Sequence, residues 1–214
     1  MDIIVDANLI LFVTASLALI ATPGQDNIYV LTRGVAQGRR AALVSAWGVC
    51  CGLLVHTALA AVGLSALLAN SATAFSAVEY AGAAYLIYLG TRMLLSRESL
   101  TIPEGTNDTP GSGMRRVFLQ GVASNALNLK VALFFLAFLP QFVNPAAGPA
   151  PLQFLFFGLL FAALTLFVTT LLGYFSGTLG NWLESRPAVA GATGRFAGGV
   201  LVALGVRLAF SDVH

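Results

Sequence analysis

Residues 11–34 read LFVTASLALIATPGQDNIYVLTRG, an apolar run interrupted by Thr22-Pro23-Gly24-Gln25-Asp26-Asn27 and then resumed. A water-soluble helix has no reason to be apolar on both sides of such a patch, whereas a membrane helix with an internal break does. Thr22 can serve as N-cap, Pro23 as the first helical residue and Gln25 as the third-position partner of a capping box. A new helix is therefore expected to begin at Pro23, its unpaired backbone N–H groups and positive dipole end directed into the protein. Such a terminus binds carboxylates.

The rest of the chain fits a lipid environment. Of its 214 residues 57% are hydrophobic and only 9% charged, against roughly 25% charged in soluble domains; the mean hydropathy is +0.84. These values exclude a soluble globular domain, a disordered tail and a nucleic-acid binder with a basic groove. The net charge of +2 is too small to suggest phosphate partners. Asp2 and Asp6 stand where a signal peptide needs Lys or Arg, so the first apolar segment is expected to stay in the mature protein.

Charges punctuate the spans. The first covers 7–25, and a long uncharged stretch splits at Asn70-Ser71-Ala72-Thr73 into spans near 41–68 and 74–95. A polar loop, 96–116, follows, and further spans are expected near 117–140, 152–175 and 193–211. Arg33, Arg39 and Arg40 fall in the first loop, Arg92, Arg97, Arg115 and Arg116 in the third, and Arg186 and Arg195 in the fifth. Arg207 alone lies on the other side. The positive-inside rule then places both termini outside.

The third and sixth spans echo each other, Ala81-Gly82-Ala83 with Leu89-Gly90-Thr91-Arg92 against Ala197-Gly198-Gly199 with Leu204-Gly205-Val206-Arg207. Two halves of three spans each must be inverted relative to one another. The expected fold is an all-α polytopic membrane protein of six transmembrane helices, a single domain over 1–214, built as two inverted three-helix repeats (about 1–95 and 117–214) with interrupted first helices. Secondary transporters have this plan, with the binding site at the repeat interface.

The second break is expected at Ser124-Asn125-Ala126-Leu127-Asn128-Leu129-Lys130, with Asn128 as N-cap. Lys130 falls about midway along the fourth span, where a cation costs at least ~2.5–3.5 kcal/mol. It needs a polar cavity or an acidic partner. One reading is a structural ion pair with Asp26; the other is substrate binding or proton coupling. His56 is either a hydrogen bond between helices or, with Asp26, a proton-coupling group. Phe134, Phe135, Phe138, Phe154, Phe156 and Phe157, in the fourth and fifth spans, read as packing or lipid-facing residues. Gly48/Gly52 and Gly173/Gly177 are close-packing motifs that would suit a homodimer. Cys50 and Cys51 are neighbours without a distant partner and read as small packing residues. No metal or other cofactor is expected.

Taken together, the motifs ATPGQDNIYVLTRGVAQGRRAAL (21–43), GVCCGLLVHTALAAVGLSALL (48–68), AGAAYLIYLGTRML (81–94) and NALNLKVALFFLAFLPQFV (125–143) resemble the lysine exporter superfamily, in its homoserine/threonine exporter (RhtB-type) branch. The resemblance covers essentially the whole chain. It implies export of amino acids or close derivatives across the bacterial inner membrane, driven by the proton or membrane potential. Two positions depart from the family pattern. Gln25 replaces the second proline of Pro-Gly-Pro, and Leu129 replaces the proline of Asn-Pro-Lys, so a milder kink is expected in the fourth helix than in the first.

A zwitterion needs an anion site, which the helix N-termini and Lys130 offer, and an ammonium site at Asp26 or at freed carbonyls. The residues expected to bind substrate are Thr22, Pro23, Gly24, Gln25, Asp26, Asn27, Asn125, Asn128 and Lys130. A passive channel or a membrane scaffold is the alternative. A transmembrane thiol–disulfide relay would need a reactive cysteine in the first helix of each half, and neither half has one.

Overall fold

A computed structural model describes residues 2–22, 24–95, 113–176 and 187–210, which are helical apart from short connections. Pro23, Arg97, Arg186 and most of the 96–116 loop lie outside the described residues. The elements are α1 (Asp2–Ala21), α2 (Gln25–Gln37), α3 (Arg39–Leu59), α4 (Ser65–Asn70), α5 (Ala72–Leu95), α6 (Met114–Ala126), α7 (Leu129–Phe138), α8 (Ala150–Tyr174) and α9 (Pro187–Phe210). A π-turn, Ala60–Leu64, joins α3 to α4, making one continuous 32-residue helix. It ends at the polar cluster where the charge pattern predicts an end.

The α3–α4 helix and α8 are each long and apolar enough to cross a bilayer, and counting each bent pair, α1–α2 and α6–α7, as one span brings the number to four. At 24 residues each, α5 and α9 have the length to span a ~30 Å core. The exterior of the helices is apolar, with Ile10, Leu59, Leu119, Phe167 and Phe196 all at least 50% exposed. That surface is costly in water and neutral against lipid tails, which makes the bilayer its solvent.

Small residues let the helices approach closely. A side chain at Gly48 or Gly52 would run into the α6 backbone around Phe118–Gly121 and Val122–Ala126. The GxxxG face expected to suit a homodimer is thus occupied inside the chain. Gly173 likewise faces Ala42, and Gly177 lies outside the described residues. The α3 and α8 helices run antiparallel, Gly173 meeting Ala42 and Gly158 meeting Thr57. The same holds for α5 and α9, where Gly90 abuts Gly198 and Gly205 abuts Ala83. Gly38, between α2 and α3, has φ 83° and donates its N–H to the Gly34 carbonyl, a turn that favours glycine.

Phe12, Phe134, Phe138 and Phe154 are fully buried. Phe12 stacks on Phe138 at 5.3 Å and meets Phe142 and Phe157 edge-on or tilted at 5.1 and 4.9 Å. This aromatic cluster joins α1, α7 and α8. Of the phenylalanines of the fourth and fifth spans, Phe156 faces outward and Phe134, Phe135, Phe138 and Phe154 form core.

Candidate functional site

Both expected breaks are present, and the first is built differently from expectation. The N-cap of α2 is Gly24, extended at φ −149° and ψ 179°, with no side-chain cap. Thr22 turns its hydroxyl back to the Ala18 carbonyl at 2.9 Å, and Gln25 reaches across to Ser124 Oγ at 3.2 Å. The capping box therefore does not form. Asn27 instead donates its amide to the carbonyls of Ile20 (2.8 Å) and Thr22 (3.1 Å). In lipid, the last carbonyls of an interrupted helix need donors from the protein itself, and Asn27 supplies them.

The second break follows expectation. Asn128 caps α7, its side chain accepting from the Lys130 N–H at 3.1 Å. The bends are alike, 52° between α1 and α2 and 49° between α6 and α7. The milder kink expected at Leu129 is not observed, because the cap and the extended backbone of Asn128 (φ −77°, ψ 99°) make the turn without proline.

The two breaks face one cavity of about 50 Å³, room for a few waters at roughly 10–15 Å³ each. Thr22, Gly24, Gln25, Asp26, Asn27, Asn125, Asn128 and Lys130 all line it, so every described residue expected to bind substrate meets at one place. Asp26 Oδ2 accepts from the amides of Asn125 (2.9 Å) and Asn128 (3.2 Å), which ties the first break to the second. Lys130 and Asp26 do not close to the 4.0 Å of an ion pair, so the structural-pair reading of Lys130 finds no contact here. Its ammonium instead lies 3.3 Å from where a Gly24 Cβ would stand. Glycine at this position leaves the space that Lys130 occupies.

His56 is buried and does not line the cavity; its Nε2 lies 3.0 Å from the Asn125 carbonyl. Because a carbonyl only accepts, Nε2 carries the proton in that contact. The backbone of Asn125 thus meets His56 while its side chain holds Asp26. Cys50 is buried, its thiol directed to the Ala162 carbonyl at 3.6 Å, in keeping with packing.

Arg33, read as a loop charge, is in fact within α2 and 2% exposed. Its guanidinium donates to Gln120 Oε1 at 2.6 Å and lies over the Tyr29 ring, whose hydroxyl donates to the Val117 carbonyl at 2.7 Å. The α2–α6 seam, closed by these bonds, has no counterpart in a charge count, since loop and buried arginine look identical in sequence. Thr165 and Phe161 of α8 also line the cavity and were not singled out. Two threonines four residues apart, Thr165 and Thr169, in an otherwise apolar helix were the available signal.

The chain is similar in sequence to known bacterial membrane proteins. The chain is 31% identical to an uncharacterised membrane protein of Pseudomonas aeruginosa, covering 92% of this chain and 93% of the relative. It is 26% identical to the leucine efflux protein of Klebsiella pneumoniae, over 94% of each chain. Identity to the homoserine/homoserine lactone efflux protein of Salmonella typhimurium is 29%, over 92% of this chain and 94% of the relative. No solved structure matches. The family model for the LysE type translocator matches residues 17–212, so the chain belongs to that family and is a membrane translocator, not an enzyme.

Proposed function

We propose that this translocator exports amino acids or close derivatives, homoserine- and threonine-like zwitterions among them, across the bacterial inner membrane by secondary active transport coupled to the proton motive force. The observation that carries the reading is the single cavity between two helix breaks, lined by one acid, Asp26, and one base, Lys130. A substrate carboxylate gives the Lys130 cation a direct partner, and the positive end of α7 adds to the attraction. The efflux proteins similar over nine-tenths of their length support an amino-acid cargo. For coupling, Asp26 and His56 are the proton-carrying groups, linked through Asn125.

Six spans arranged as two inverted repeats suit this mechanism. The matched bends and the antiparallel packing of α3 on α8 and of α5 on α9 support it, since equivalent helices of inverted repeats run in opposite directions. The distribution of the other arginines, with Arg33 set aside as buried within α2, supports termini facing outward. Labelling of single cysteines at Ser99 and Asp212 in intact cells tests the orientation, and outside labelling at Ser99 reverses it.

Cells loaded with an amino-acid panel test the function. The expected result is faster release than from cells lacking the protein, abolished by a protonophore. Release of no amino acid above the control overturns the assignment.

A further inference from the structure

His56 lines a second cavity, separate from the one between the breaks. It measures about 330 Å³ and lies between the α3–α4 helix, Val78 of α5 and the α7 residues Ala132, Phe135 and Leu136. That is about twice the roughly 150 Å³ of an apolar cavity that takes up benzene. Leu59 and Leu136 of its wall are exposed on the outer surface of the helices, so the cavity is reached from the bilayer.

Two features distinguish it from a gap in packing. The first is Gly63, in the π-turn that joins α3 to α4. A side chain there would meet nothing within 4 Å, whereas Gly48, Gly82 and Gly90 are each held small by a neighbouring helix. Glycine weakens a helix, and at this position packing does not call for it. What the missing side chain leaves is room in the cavity. Interruptions of this π type occur mostly at functional sites.

The second feature is His56, the one polar residue in the wall among those described and only 6% exposed. Its Nε2 donates to the Asn125 carbonyl, so in the neutral ring Nδ1 is an acceptor. Nδ1 has no hydrogen-bond partner among the described residues, and unlike Asp26 Oδ1 or Asn125 Oδ1 it is not sealed from molecules the size of water. Lipid tails fill apolar space but donate nothing. A hydrocarbon carrying one O–H or N–H fills the space and completes the hydrogen bonding of the ring.

We propose that this cavity binds a membrane-soluble hydrophobe, roughly twice the size of benzene and bearing a single hydrogen-bond donor. Its hydrocarbon lies against Leu64, Val78 and Phe135, and its donor meets His56 Nδ1. Bound there, it holds His56 in the tautomer that donates to Asn125, whose side chain in turn holds Asp26. The ligand thus bears on the cavity between the breaks without entering it. Its binding does not depend on the export reading.

Binding of β-naphthol and of its methyl ether to the full-length protein in phosphatidylcholine nanodiscs, read by their fluorescence against empty nanodiscs, tests this. Phosphatidylcholine offers no O–H or N–H of its own. Saturable binding of β-naphthol is expected, at least ~5-fold tighter than that of the ether, which has the same rings and no donor. Gly63→Leu should keep its Tm, since no neighbour stands near the new side chain, and lose the saturable binding. His56→Phe should still bind both compounds but with affinities within about 2-fold of each other. Equal affinities in the unaltered protein overturn recognition of the donor, and a preference that survives in His56→Phe removes His56 as its acceptor. Undiminished binding to Gly63→Leu overturns the location. No saturable binding above that of empty nanodiscs overturns the site.

Discussion

The two breaks that form the cavity bend their helices almost equally, 52° and 49°, by different chemistry. At the first, Asn27 satisfies carbonyls of the helix that ends, and the helix that begins is left without a side-chain cap. At the second, Asn128 caps the helix that begins. One asparagine serves acceptors and the other serves a donor. A broken membrane helix therefore does not need proline; it needs whichever partner its stranded backbone groups lack. The consequence for function is an asymmetry, in which the open helix start at Gly24 lies beside Lys130 and the capped one carries Lys130 itself.

Lys130→Met is expected to have the largest effect, lowering export at least ~10-fold and up to ~100-fold, the equivalent of one charge-assisted hydrogen bond. Membrane insertion should persist, since the change removes a charge from the span. Export normalised to protein level in the membrane reads it, and near-normal activity would remove Lys130 from the site. The double variant with Asp26→Asn should stay inactive because the two side chains form no ion pair; recovered export would reinstate a structural pair.

The asparagines separate the breaks directly. Asn27→Ala strands two carbonyls and should cost roughly 2–4 kcal/mol. Asn128→Ala loses a cap worth about 0.5–2 kcal/mol and one bond to Asp26. Thermal unfolding in detergent should rank Asn27→Ala as the more damaging. The reverse order would show that capping, and not carbonyl satisfaction, dominates.

Gly24→Ala places a methyl 3.3 Å from the Lys130 ammonium, tight enough to displace it. Export should fall by about 5-fold, the effect of ~1 kcal/mol, with little loss of stability, as the other neighbour is at 3.7 Å. Equal losses in activity and Tm would mean that the methyl disturbs the break rather than the site.

The smallest effect is expected from Leu129→Pro. The position is the first of α7, where proline is accommodated, and Asn128 already holds the extended backbone that a following proline requires. Stability should change by less than ~0.5 kcal/mol. A larger loss would show that the Leu129 N–H or side chain contributes to the second break after all.

Much of this molecule was legible in the chain alone. Transfer free energies add along a sequence, so apolar runs and their interruptions at Thr22–Asn27 and Asn125–Lys130 mark helices and breaks without knowledge of any partner. A cation at mid-span is costly wherever the helix sits, which is why Lys130 stood out. Contacts between residues far apart in sequence were not legible. That Asn125 and Asn128 hold Asp26, that Gly48 and Gly52 close on α6 rather than on a second chain, and that Arg33 is buried against Gln120 all depend on helices brought together across roughly seventy to a hundred residues. Hydropathy carries no information about azimuth or neighbour. The sequence by itself therefore determined a lipid-embedded helical protein with two interrupted helices and an unusual lysine. Tertiary packing alone decided that both interruptions share one cavity, because that meeting depends on side-chain volumes and hydrogen-bond geometry between segments and not on the composition of either.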